Sequence, residues 1–119
     1  MYTHMYKNLS RGYLLLLLLS PLNVKSEEFI LILKDHLFYP SEIYVPANKK
    51  LKLLIENQDS TPEEFDSFDL NREKVLYPAR QSVIYIGPLS PGRYEFFGEF
   101  SPNTARGVVI ATEVTNADN

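Results

Sequence analysis

Six short apolar runs, each closed off by turn-forming residues, govern what this chain can become. They are FILILK (29–34), EIYVP (42–46), KLKLLIEN (50–57), SVIYIG (82–87), RYEFF (93–97) and GVVIATEV (107–114). Runs of this length, rich in β-branched and aromatic residues, form strands rather than helices. FILILK is nearly continuous in its apolar character and reads as a strand buried on both faces. SVIYIG alternates, with Val83 and Tyr85 on one face and Ile84 and Ile86 on the other. No stretch from 27 to 119 holds a convincing helical period over three turns. The eight prolines and five glycines fall mostly between the runs, where a sheet tolerates them. The expectation is an all-β chain folded as an antiparallel, Greek-key β-sandwich.

One segment breaks the even spacing. Residues 58–80 separate two strands by more than a simple hairpin loop requires. Phe65, Phe68 and Leu70 are expected to pin this excursion to the core, and Val75 and Leu76 to add a short strand. Within it, TPEEFDSFDLNREK (61–74) carries five acidic residues beside two phenylalanines. A long excursion with apolar anchors is one way a sandwich builds a site at one end.

The N-terminal segment reads as separate from this fold. Lys7 and Arg11 precede an apolar run from Tyr13 to Leu19, and Val24 and Ser26 suit a cleavage site before Glu27. That layout predicts a secretory signal peptide over 1–26 and a mature domain over 27–119. The apolar run is far shorter than the ~20 residues of a membrane-spanning helix, so no stable span is expected after cleavage. With no cysteine behind it, a lipoprotein anchor is not expected. The segment holds three basic residues and no acidic one, so the chain's net charge of −3 becomes −6 on the mature domain, 9 basic residues against 15 acidic. With no basic patch or run, nucleic-acid binding has no support. Zero cysteines exclude disulfides and thiolate ligands alike.

Catalytic signatures are absent from the mature stretch. It keeps one histidine, His36, and has neither a nucleophile–base pair nor a phosphate-cradling glycine loop. Metal binding is the sharper reading. His36 offers an imidazole and the acidic loop offers oxygen donors, a set suited to Cu(II), iron or manganese rather than Cu(I). Each residue also has a plainer role. His36 reads as a strand-edge histidine bonded to backbone, Glu63 and Glu64 as solvated, Asp69 and Asn71 as turn caps, and Arg72 with Glu73 as an ion pair. If Tyr94 and Phe96 face the core, Glu95 faces out, and the direction of Glu99 after Gly98 is open.

The order of motifs resembles a known family. FYPSEIYVPANKKLKLLIEN is similar to the F-x-P-x-x-I-x-V-P-A-G opening of cupredoxins, with Asn48 at the usual glycine. ENQDSTPEEF resembles their N-x-D segment, and GPLSPGRYEFFGEFSPNTARGVVI their ligand loop and last strand. The resemblance spans nearly all of 29–114. It places the family's first histidine at Glu63–Glu64, its cysteine at Gly98, its second histidine near Ser101 and its methionine near 104–106. All four ligands of a type 1 copper centre are therefore missing, and such a centre needs a thiolate and two imidazoles.

TPEEFDSFDLNREKV followed by IGPLSPGRYEFFGEF resembles the subgroup of cupredoxin-like domains associated with bacterial iron uptake. That resemblance implies acidic ligands at Glu64 and Asp66 and an Arg72–Glu73 pair at a metal site, with no cysteine at Phe38 or Gly98. The implied function is an exported, periplasmic accessory of copper or iron handling. Its candidate ligands are His36, Glu64, Asp66, Glu73 and Glu99, its cofactor a copper or iron ion, and its partner a membrane iron or metal permease. An oxidase reaction at a mononuclear Cu(II) or iron site stays open. The other reading is a metal-free β-sandwich that serves as an interaction module beside a membrane transporter.

Overall fold

The computed structural model describes residues 26–114. The signal peptide expected over 1–26 lies, but for its last residue, outside these residues. Nine strands are found among the described residues: β1 (Glu27–Lys34), β2 (Leu37–Tyr39), β3 (Glu42–Pro46), β4 (Leu51–Asn57), β5 (Glu63–Ser67), β6 (Arg72–Leu76), β7 (Arg80–Ile86), β8 (Gly92–Gly98) and β9 (Arg106–Thr112). They form a four-stranded sheet, β2-β1-β4-β7, and a five-stranded sheet, β3-β9-β8-β5-β6. The chain crosses between the sheets after β2, β3, β4, β6 and β7, so β1 pairs parallel with β4 and β3 parallel with β9. This is the expected all-β sandwich, but not the wholly antiparallel one, since crossing between sheets sets two strand pairs parallel. No helix among the described residues is long and apolar enough to cross a membrane.

Period-two alternation sets the core. In β4, Leu51, Leu53, Ile55 and Asn57 are all buried while Lys52, Leu54 and Glu56 between them are half-exposed. Leu31 and Leu33 of β1 lie beside them in register. From the other sheet come Phe65 and Phe96, which stack at 5.0 Å between ring centroids, with Phe38 edge-on to both. FILILK does not have two buried faces. Ile30 is exposed, because among the described residues no layer covers the outer side of the four-stranded sheet. Its parallel pairing with β4 arises by crossing between sheets, not through covering helices.

The excursion 58–80 is an antiparallel hairpin, β5–β6, added to the edge of the five-stranded sheet. Val75 and Leu76 do lie in an extra strand, and Phe65 and Leu70 are buried. Phe68 is not: it is 84% exposed and leans on Phe97 at 5.8 Å. With Phe65 and Ser67 pointing inward, the next residue points out. Arg72 does not pair with Glu73, since strand neighbours face opposite sides. Its Nε donates instead to the Tyr85 carbonyl at 2.9 Å, tying β6 to the opposite sheet. Asp69 accepts from the Glu95 N–H at 2.9 Å and so caps a distant strand rather than its own turn. Asn71 and Asn48 both take left-handed backbone (φ 54 and 61) that asparagine tolerates.

Candidate metal centre

Buried Asn57 organises the end of the sandwich where β4 stops. Its Nδ2 donates to the carbonyls of Thr61 and Leu76, each at 3.0 Å, and its Oδ1 accepts from the Asp59 N–H at 2.9 Å. Asp59 in turn accepts from the N–H groups of Asp35 and His36 at 2.6 and 3.0 Å. Both of those residues have positive φ (53 and 60), the geometry of a two-residue hairpin turn usually filled by Asn-Gly. The Asp59 carboxylate compensates for side chains unsuited to that turn. His36 thus sits in the turn between β1 and β2, half-exposed, with Nδ1 3.8 Å from Asp59 Oδ2.

β5 starts just beyond this turn and sorts its acids by alternation. Glu63, Phe65 and Ser67 face the interior, and Glu64 and Asp66 face the outer side of the five-stranded sheet. Asp66 is only 7% exposed. Glu73 of β6 lies opposite Asp66 in register, and Phe97 of β8 flanks Asp66 on the other side. Glu99 follows β8 directly, and its N–H donates to the Glu64 carbonyl at 2.9 Å. The result is convergence: carboxylate oxygens of Glu64, Asp66 and Glu99 lie within 4.8 Å of one another. Glu73 and His36 stand outside this trio. Glu73 borders it across the sheet, whereas His36 is held by Asp59.

The electrostatics follow from crowding. The ion pairs found among the described residues are His36–Asp59, Lys49–Glu27 and Lys52–Glu28, and none involves the trio. Arg106, on the same face, lies over the Phe97 ring at 5.7 Å and donates to the Pro102 carbonyl. The Glu99 carboxyl is pushed up to about 7, first by its hydrogen bond with Asp66, then by the charge of Glu64, by desolvation, and by the charges of Asp66 and Glu73. An open groove of ≈ 410 Å³ runs alongside, lined by Asp66, Ser67, Phe68, Asn71, Arg72 and Glu73. Three converging carboxylates offer oxygen donors alone, which suit hard cations.

The residue that sequence reading missed is Glu63. It is 2% exposed, and its Oε1 accepts from the N–H groups of Glu64 and Phe100, each at 2.8 Å. A period of two counted back from core Phe65 was the signal that would have turned it inward. Ser101 and Thr104 spend backbone groups on a tight turn closed by Gly98 and Ala105, whose N–H and carbonyl pair at 2.8 Å.

A two-sheet sandwich with an acidic rim defines a class, and the comparisons say which. The family model for the cupredoxin-like domain matches residues 10–111. The uncharacterized protein RP394 of Rickettsia prowazekii (strain Madrid E) is 44% identical over 86 residues, covering 72% of this chain and 69% of that protein. Among solved structures, the blue copper protein auracyanin A of Chloroflexus aurantiacus is similar at a TM-score of 0.64 with 8% identity, over 74% of this chain and 100% of that one. The metal-binding domain of the Cu(I)-exporting P-type ATPase CopA of Streptococcus pneumoniae D39 gives 0.64 with 14% identity, over 78% and 92%. Amicyanin of Paracoccus versutus gives 0.58 with 18% identity, over 76% and 86%. The chain belongs to the cupredoxin-like domain family. It is not a blue copper protein. It has no cysteine, and such a centre needs a thiolate ligand.

Proposed function

We propose that this is an exported metal-binding accessory domain of copper or iron handling that holds a hard cation on the outer face of its five-stranded sheet. Glu64, Asp66 and Glu99 are the ligands and Glu73 adds charge beside them. The observation that carries the reading is their convergence within 4.8 Å, with none of the three in an ion pair with Lys or Arg among the described residues. Such a crowd of like charges is relieved either by sharing protons or by a cation. An all-oxygen set favours iron over copper, since His36 does not join it. The leader that the sequence leads one to expect over 1–26 favours a periplasmic location, and the membrane partner proposed is an iron or metal permease. Nothing in this site points to catalysis. Equilibrium dialysis of the protein against Fe(II) without oxygen, and separately against Cu(II), tests the proposal. Fe(II) should bind saturably below roughly millimolar concentration, and Asp66→Asn with Glu99→Gln should abolish it. Equal retention by that double variant would refute the site.

A second reading, a metal-free interaction module beside the same transporter, is favoured by one observation. The outer face of the four-stranded sheet carries Ile30, Tyr39 and Tyr85 exposed, with Ile32, Leu54 and Val83 half-buried between them. Patches of this kind mark contact surfaces. Co-purification with a co-expressed permease that survives Asp66→Asn but not Ile30→Lys would favour this module; the reverse pattern would favour the metal accessory.

A further inference from the structure

The interior of the sandwich holds a carboxylate that the outer site does not use as a ligand. The cupredoxin resemblance puts the family's first ligand at Glu63–Glu64 and its cysteine at Gly98. The two are fitted to each other. A Cβ at residue 98 would stand 2.6 Å from Glu63 Cδ, 2.7 Å from its Oε2 and 2.9 Å from the Ala105 Cβ. Glycine at 98 is what leaves room for the carboxylate. The type 1 centre implied by the fold does not fit this interior, and the side chain that fills it is itself bonded. Both N–H donors to Glu63 belong to the two segments a ligand cluster would join: Glu64 on β5 and Phe100 in the turn after β8.

We infer that the buried Glu63 carboxylate replaces an interior metal as the cross-link between β5 and the 98–105 turn, and thereby positions Glu64 and Glu99 on the opposite face of the sheet. Hydrogen bonds from backbone N–H groups to a carboxylate are among the strong ones. A buried carboxylate is retained only when it is so bonded. The two bonds close a compact ring, because the Glu99 N–H, one residue before Phe100, donates to the carbonyl of Glu64. Each outer carboxylate therefore sits on backbone that the inner one fixes. Glu63 is a positioning residue. The cross-link stands by itself, and its service to a metal rests on the function proposed above.

Amide hydrogen exchange of the full chain, without added metal, tests the cross-link. In Glu63→Ala the Glu64 and Phe100 amides should exchange about ten- to a hundredfold faster. Glu63→Gln keeps Oε1 but loses the charge, and should speed both amides clearly less than Glu63→Ala does. Gly98→Ala should speed the same two amides with the carboxylate still present, by forcing it aside; this variant and Glu63→Gln decide the matter should Glu63→Ala not fold. Unchanged exchange at Phe100 in Glu63→Ala and Gly98→Ala, or losses in Glu63→Gln as large as in Glu63→Ala, would overturn the inference. Mn(II) titration of the same variants tests the positioning. Affinity should fall at least about tenfold in Glu63→Ala, as expected for loss of a bond to a charged group, and recover in part in Glu63→Gln. If the unaltered protein takes up no Mn(II), the metal reading fails while the exchange rates still decide the cross-link.

Discussion

A carboxyl that shares a proton with its neighbours ties folding to pH. Glu99 is raised from 4.5 to about 7, chiefly by its hydrogen bond with Asp66. The folded protein then holds this proton more tightly than the unfolded chain does. Its contribution to stability is full below about 4.5 and is lost as pH rises through about 7. Urea midpoints are expected to drop between those two pH values, and Glu99→Gln should flatten that slope. A slope equally steep in Glu99→Gln would count against the shared proton. Asn57 makes a second prediction at this scale. Its three bonds, the one to Leu76 fully buried, hold the turn before β5, so Asn57→Ala should cost about 2–4 kcal/mol in urea unfolding. The sequence displayed this asparagine at the end of a strand, within a motif. What it could not display was Leu76 as a partner, because that contact depends on how the excursion folds back.

Within each strand, alternation decides what a residue does, and one reference residue fixes it. Phe65 in the core assigns Glu63 to the interior and Glu64 and Asp66 to the outer face. The five acids of TPEEFDSFDLNREK therefore divide into an interior strut, two outward carboxylates, a flanking charge and a strand cap. Strand positions were legible from apolar runs and turn residues, since both follow from local chemistry. The faces were less so. FILILK looks two-sided because leucine and isoleucine fill both sets of positions, yet coverage depends on a second layer, which the described residues do not supply. Phe68 reads as an anchor by composition and is exposed by parity. Its parity gives a paired test in denaturant: Phe65→Ala should lose about 3–5 kcal/mol, and Phe68→Ser should stay within about 0.5 kcal/mol of the original. Comparable losses at both positions would contradict the assignment of faces.

Across the whole molecule, a cupredoxin-like sandwich fills its interior beside Gly98 with one carboxylate and turns three others outward. Gly98 and Glu63 close the inside, while Glu64, Asp66 and Glu99 crowd the rim of the five-stranded sheet. Sequence order brought Glu64, Asp66, Glu73 and Glu99 to notice, since each lies near a ligand position of the resembled family. It gave no means of seeing that His36 occupies a turn bound to Asp59, because that depends on the meeting of two loops 23 residues apart. Cation binding by the outward trio, as proposed, is open to calorimetric titration with Mn(II) at pH 6 and pH 8. Binding must displace the Glu99 proton, held at about 7. One saturable site should therefore appear, about tenfold tighter at the higher pH, and Asp66→Asn should remove it. Heats indistinguishable from dilution at both pH values, or a site that Asp66→Asn leaves intact, would contradict the account.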